Sequence, residues 1–452
     1  MLSIFKMLYR DKIKAILAHN LVIALVFCTL VIAGYFTAKP TSEDYDQREH
    51  HLPQIEIFVK NPLTLGESYS ATVAMAPGHH VMLSFVAKQF SSGSVSEDVL
   101  SIRLINAACG LGLLLTIWWM LYGGEPNQIW QSSCLLLPLV FSPYIVGGSI
   151  WVMSDNAALL WACTALAILL QERQGGWFLS LAGIFIALAV FWRQNYIFLV
   201  IPLFWRAVQE FLQQKKWLPL LLSSLLPIVM LLYLISIWGG LVPPEFSRHA
   251  DNLSTASGLS KLNFSALVYI CSLIGTYGIF YLGYFWSELS MMLRSKTQTL
   301  LLLSALLPGL ILSLLVPLRA KETADGILLK IAEKLPILYG RSLLIVMLCS
   351  LGTALIYLIL RQFFRDRTIS PKSFFASDTI IFINFVAWTG ISLLNSTAFQ
   401  RYFDSWIVLT ISLLTRIIKH NCHAYLGVLM LSGALLILSI AKFVGFGVPY
   451  LS

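Results

Sequence analysis

The chain has 452 residues, of which 58% are hydrophobic and only 12% charged, with a mean hydropathy of +0.77. An ordinary soluble domain charges about a quarter of its positions, so lipid is the solvent for most of this sequence. The net charge of +9 comes without a basic stripe interleaved with aromatics, which excludes nucleic acid as the expected partner.

Apolar runs of near membrane-crossing length, about 20 residues each, recur from end to end. They fall at 20–38, 100–121, 132–151, 155–171, 176–192, 195–206, 218–238, 264–290, 299–317, 336–360, 378–396, 403–415 and 424–447. The expectation is an all-α polytopic membrane protein of about thirteen helices, residues 1–452 forming one integral membrane domain. Lys6, Arg10, Lys12 and Lys14 precede the first run and Lys39 alone closely follows it. By the positive-inside rule the N-terminus then stays in the cytoplasm, and residues 39–99 form the first extracytoplasmic loop. Within that loop, segments near 53–59 and 69–90 have the composition of helices lying on the membrane surface, joined through Pro62 and Gly66. The cysteines mostly sit inside apolar runs with no zinc or redox spacing, which fits small-hydrophobe packing.

Directly after the first run comes a polar island, Ser42 to His51, holding Glu43, Asp44, Asp46, Glu49, His50 and His51. Carboxylates and imidazoles gathered at one helix mouth suit proton transfer at the membrane surface; a solvated loop is the bland alternative. His79 and His80 share this outer side. Neighbouring histidines on a helix diverge by about 100° and no i, i+4 pair occurs, so a metal site is not expected. Further along, Trp192-Arg193-Gln194-Asn195 interrupts two apolar runs at membrane depth. A guanidinium there needs a lined cavity, a partner or a route to the interface. Ser154-Asp155-Asn156 opens the fourth run, where an N-cap and a ligand are both compatible with the residue types. Arg248 and His249, Arg319, and Arg401 occupy later outer loops. They are candidate phosphate ligands because guanidinium forks match phosphate oxygens.

These short motifs, in this order, resemble the dolichyl-phosphate-glucose α-1,2-glucosyltransferases, members of the GT-C glycosyltransferases. Asp46-Gln47 running into His50-His51-Leu52-Pro53-Gln54 is similar to the family's first-loop signature. Pro77-Gly78-His79-His80, Met153-Ser154-Asp155, Trp192-Arg193-Gln194-Asn195, Gly239-Gly240-Leu241-Val242 with His249, and Gln400-Arg401-Tyr402-Phe403 resemble later family motifs. The chain departs from the pattern where Gln47 stands for the second acid of a pair. It also departs in the short basic stretch 206–217 and in the loose match at Ala324-Asp325.

The resemblance implies a GT-C-like fold. It also implies inverting transfer of a hexose, glucose foremost, from a polyprenyl-phosphate donor to a lipid-linked or extracytoplasmic glycan acceptor. Asp46 is the expected base, followed by Asp44 and Glu49. The expected substrate-binding residues are His50, His51, Asp155, Arg193, Gln194, Arg248, His249, Arg319 and Arg401. A lipid-phosphate leaving group carries less charge than a nucleotide diphosphate, so the expectation is no cofactor, with a bridging divalent cation as the less favoured variant. The expected location is the bacterial cell membrane, or the endoplasmic reticulum membrane in a eukaryote, with the active face extracytoplasmic. The competing class is a multi-pass secondary transporter or lipid-linked glycan flippase. That class predicts ionisable residues spread through the middle of several spans, whereas here polarity gathers on one face.

Overall fold

The structure is a computed structural model. It describes the chain except for residue 1 and segments 39–40, 62–64, 66–68, 70–74, 91–94, 96–98, 124–127, 172–175, 215–216, 244–261, 319–323, 366–375, 395–397, 417, 419–423 and 445–452. Among the described residues, six helices are long and apolar enough to cross a membrane: Ile13–Thr37, Val99–Tyr122, Phe264–Leu293, Lys296–Leu315, Leu343–Phe364 and Ala424–Phe443. Ile129–Val140 with Pro143–Ile150, bent by 65°, makes a seventh if counted as one span. Shorter apolar helices cover Asp155–Leu169, Trp177–Trp192 and Ser223–Trp238. The molecule is a helical multi-pass membrane protein, since apolar helices satisfy every backbone group internally and so tolerate lipid.

Several expected runs take a different shape. The run 132–151 breaks at Phe141-Ser142 because Pro143 lacks an N–H and disfavours helical geometry in the residue before it; the Ser142 hydroxyl restarts the helix by accepting from Tyr144 N at 3.3 Å. The run 195–206 opens as a 3-10 turn, Gln194–Leu199, before Val200–Gln214. The run 336–360 begins as a hairpin pairing Ile337–Leu338 with Arg341–Ser342, and its helix starts only at Leu343. In the first loop the second helix begins at Gly78, not near residue 69.

Packing between spans relies on small residues, which let backbones meet where lipid gives no hydrophobic drive. Helix Phe264–Leu293 lies against Leu343–Arg365 so closely that a Cβ at Gly275 would fall on the Leu348 carbonyl, and one at Gly352 on the Cys271 carbonyl. The first-loop helices Ser42–Asp46, Leu52–Lys60 and Gly78–Phe90 cover one end of the bundle, burying Leu52 and Ile55 against Leu83, Ile102 and Val152.

At the opposite end, guanidiniums bond carbonyls at helix C-termini. Arg206 donates to Gln171 O, past the end of Asp155–Leu169, and Arg416 donates to Met120 O, near the end of Val99–Tyr122. A cation at that position also complements the negative end of the helix dipole. Helices Asp155–Leu169 and Gln400–Arg416 therefore run from the loop-covered end toward these arginine clasps, and their N-termini face the covered end.

Candidate active site

Under the loop helices lies a cavity of about 670 Å³ counting its open mouth, whose lining includes Glu43, Tyr144, Asp155, Arg193, Asn195, Arg401 and Tyr402. Each charged member is delivered by a break or an end of a helix. Gly176–Trp192 stops at Trp192, and Arg193 takes an extended conformation (φ −150°, ψ 113°) before the 3-10 turn. Irregular backbone at this depth is tolerated where it lines a cavity. Asp155 is the first residue of its helix and Arg401 the second of Gln400–Arg416.

The geometry is a pair of acid-tethered guanidiniums meeting over one aromatic ring. Arg193 pairs with Asp155 at 2.9 Å and donates through Nε to Ser154 Oγ at 3.1 Å. Ser154 therefore occupies the N-cap position without capping. Arg401 pairs with Asp46 at 2.8 Å and donates to the Tyr402 hydroxyl at 3.2 Å. Both guanidiniums lie over the Tyr402 ring, 4.6 Å for Arg193 and 5.2 Å for Arg401, a cation–π arrangement that holds two like charges close together. Asn195 Oδ1 is buried there with no partner among the described residues.

The acidic island divides by environment. Glu43 is buried and paired with Lys442 of the last helix, whose ammonium also lies 5.3 Å from the centre of the Tyr144 ring. Burial alone would raise the Glu43 carboxyl, but Lys442 outweighs it and holds the pKa at about 2. Asp44 pairs with Arg48 one turn away at 2.9 Å, and Glu49 is exposed. Asp46, its side chain 24% exposed, pairs with the cavity-lining Arg401, the one pairing of an expected acid with a cavity arginine among the described residues.

Beside the cavity is a closed histidine box. His51, His79 and His80 are fully buried, and burial lowers all three, His80 to about 3. Tyr69 donates to Met75 O at 2.7 Å, so its oxygen accepts from His80 Nδ1 at 3.2 Å, and His80 Nε2 in turn accepts from His51 Nδ1 at 2.9 Å. The tautomers follow from that chain of donors. No group of three His, Cys, Asp or Glu among the described residues could hold a metal ion. His50 packs edge-on against Tyr45 at 5.7 Å.

Gln194 accepts from Ala76 N and donates to Leu241 O, both at 3.1 Å. It stitches the loop to the 3-10 turn. Gln47, standing where the family signature has an acid, accepts from Arg103 Nε at 3.0 Å and Val152 N at 3.1 Å. It sits in the π-helical turn Gln47–His51, a geometry that recurs at functional sites. Arg248, His249 and Arg319 lie outside the described residues. Glu43, Asn195 and Tyr402, none of them expected as ligands, line the cavity. Tyr402 was signalled by its place beside Arg401, and Glu43 by its place in the island.

Together these features define a helical multi-pass membrane protein with a charged cavity beneath one loop-covered end. No family model matches the chain, and no curated protein sequence matches it. Among solved structures it is similar to ArnT from Cupriavidus metallidurans bound to undecaprenyl phosphate, at a TM-score of 0.38 and 13% identity, covering 89% of this chain and 77% of that one. The apo state of the same ArnT gives 0.36 and 12%, covering 89% and 77%. The apo oligosaccharyltransferase of Archaeoglobus fulgidus gives 0.36 and 13%, covering 90% of this chain and 56% of that one. At that degree of superposition no chemistry follows from the likeness.

Proposed function

We propose that the chain is a GT-C-type membrane glycosyltransferase that moves a hexose, glucose foremost, from a polyprenyl-phosphate donor to a lipid-linked or extracytoplasmic glycan acceptor with inversion. The observation that carries this reading is the convergence of Arg193 and Arg401 over Tyr402, each with its own carboxylate, in one cavity at the covered end. Two guanidinium forks over one ring offer several N–H donors to an anion with several oxygens, which a lipid phosphate supplies at the membrane edge.

The Arg401–Asp46 pair gives the reaction its order. An arriving phosphate competes for Arg401 and frees the Asp46 carboxylate. Asp46 then takes the proton of the acceptor hydroxyl as its oxygen bonds to the anomeric carbon. The bond from that carbon to the phosphate oxygen breaks, and the electron pair leaves on the phosphate, where Arg193 and Arg401 meet the charge. Glu43 is a poor base, because a carboxyl with a pKa of about 2 holds a proton weakly. The Asn195 amide oxygen is placed to accept from a sugar hydroxyl. The proposed mechanism uses no cofactor, the paired guanidiniums supplying the positive charge that a divalent ion would otherwise supply. The bacterial cell membrane is the proposed location, with the cavity open to the extracytoplasmic side.

The test is reconstitution in liposomes with polyprenyl-phosphate glucose or mannose and a native membrane lipid extract as acceptor source, reading polyprenyl phosphate release and glycan mass. Donor-dependent release that disappears in Asp46→Asn and Arg401→Ala supports the reading. Solute uptake without turnover of any hexose donor overturns it in favour of transport.

A further inference from the structure

A second cavity is linked to the first through one short helix, Ile327–Ala332. Ile327 N donates to the hydroxyl of Tyr144, which lines the first cavity, at 3.5 Å, and Leu328 N donates to Gln400 Oε1, next to Arg401, at 2.9 Å, while Leu329 and Ala332 line the second cavity. That second space is about 850 Å³ counting its mouth. Its far wall is the hairpin Ile337–Leu338 with Arg341–Ser342. Both central residues of the turn, Tyr339 (φ 49°) and Gly340 (φ 71°), are left-handed, the type I′ geometry that matches strand twist. Arg341 Nε donates to Leu314 O and Ser342 Oγ to Ala332 O, both at 3.1 Å, so the hairpin is tied to two helices.

The hairpin tip is apolar and turned outward, with Ile337 58%, Leu338 61% and Tyr339 95% exposed. Three adjacent apolar side chains gain by leaving water, so the tip belongs in lipid and the cavity opens at the bilayer edge. The lining is mostly aliphatic, including Val316, Leu329, Ile345 and Val346, and carries two charges of opposite sign, Glu333 and Arg341. Neither forms an ion pair among the described residues.

We propose that this cavity holds one zwitterionic amino-phospholipid, with its phosphate on Arg341, its primary ammonium on Glu333 and an acyl chain along the aliphatic wall. Charge complementarity selects the headgroup. An anionic glycerol headgroup satisfies Arg341 but leaves Glu333 facing negative charge, and a quaternary choline nitrogen offers Glu333 no N–H to accept. A lipid seated there braces the wall helix whose backbone meets Gln400, so the site couples membrane composition to the neighbouring cavity without being the donor or acceptor site.

The experiment is native mass spectrometry of the intact protein released from micelles, titrated with ethanolamine-, choline- and glycerol-headed phospholipids of identical chains. The expected result is one retained ethanolamine lipid, preferred over the other two by about tenfold, the ratio that a single charged hydrogen bond supplies. In Glu333→Gln that preference falls below about twofold, and in Arg341→Ala all three lipids lose affinity by about tenfold. Equal retention of the three headgroups by the unaltered protein, retention of none, or an undiminished preference in Glu333→Gln overturns the proposal. The comparison on unaltered protein decides the question even if a variant does not fold.

Discussion

At the scale of single residues, Asp46 and Arg401 are separable by experiment because they are bonded to each other and yet assigned different work. Asp46→Asn keeps an oxygen that can accept from Arg401 but removes the proposed proton acceptor. Turnover is expected to fall by about 10²–10⁴-fold with the melting temperature within a few degrees of wild type. A variant that melts far earlier but turns over normally would make Asp46 a structural acid only. Arg401→Lys keeps the charge and loses the planar fork, so the donor KM should rise about tenfold, the cost of one charged hydrogen bond, while kcat changes less; steady-state kinetics at fixed acceptor checks the split. Charges out of place in an apolar sequence mark Asp46, Asp155, Arg193 and Arg401 without coordinates, and the structure pairs them as Asp155 with Arg193 and Asp46 with Arg401. What sequence does not encode is rotamer direction. Gln194 shares a motif with Arg193 yet bonds Ala76 N and Leu241 O, while Asn195 beside it lines the cavity.

At the scale of elements, the Glu43–Lys442 pair joins the first-loop helix to the last span across nearly the whole length of the chain. Breaking a buried ion pair on one side strands the remaining charge, at about 3–5 kcal/mol, whereas removing both charges costs far less. Lys442→Met should therefore lower the melting temperature in detergent sharply, and Glu43→Gln combined with Lys442→Met should recover most of the loss. Additive losses in the double variant would show that the pair is not a coupled clasp. This clasp was invisible in sequence because Lys442 lies inside an apolar run and reads as a snorkelling end. The spans themselves were legible, since hydropathy reports the solvent each segment needs. It does not report backbone shape: Ile337 and Leu338 are as apolar as a helix requires, yet Pro336 and the left-handed pair Tyr339-Gly340 impose a hairpin before Leu343. Hydropathy is equally silent on the break at Phe141-Ser142.

At the scale of the whole molecule, the loop-covered end buries His51, His79, His80 and Glu43, and these groups make stability depend on acid in two successive windows. His51, His79 and His80 titrate well below their ordinary 6.5 because burial disfavours the charged ring, with His80 at about 3. The unfolded chain therefore binds more protons than the folded one below about pH 6.5, so stability is complete above that value and falls as pH drops. Glu43 adds a second window: with its folded pKa near 2 against an ordinary 4.5, the stabilisation it shares with Lys442 is full above about 4.5 and drains away toward 2. The histidine contribution to the melting temperature should thus begin to decline near pH 6.5, before that of Glu43 does. His79 has no hydrogen-bond partner at either ring nitrogen among the described residues, so His79→Phe removes one titrating group without breaking the Tyr69–His80–His51 chain. Any packing cost of the larger ring is the same at every pH, which leaves the slope as the readout. The variant's melting temperature should fall less steeply than wild type between pH 6.5 and 4.5 and run parallel to it above 7. Parallel curves throughout would mean that the histidine box admits water and its rings protonate in place, and the closed, proton-excluding character assigned to this end of the protein would then be lost.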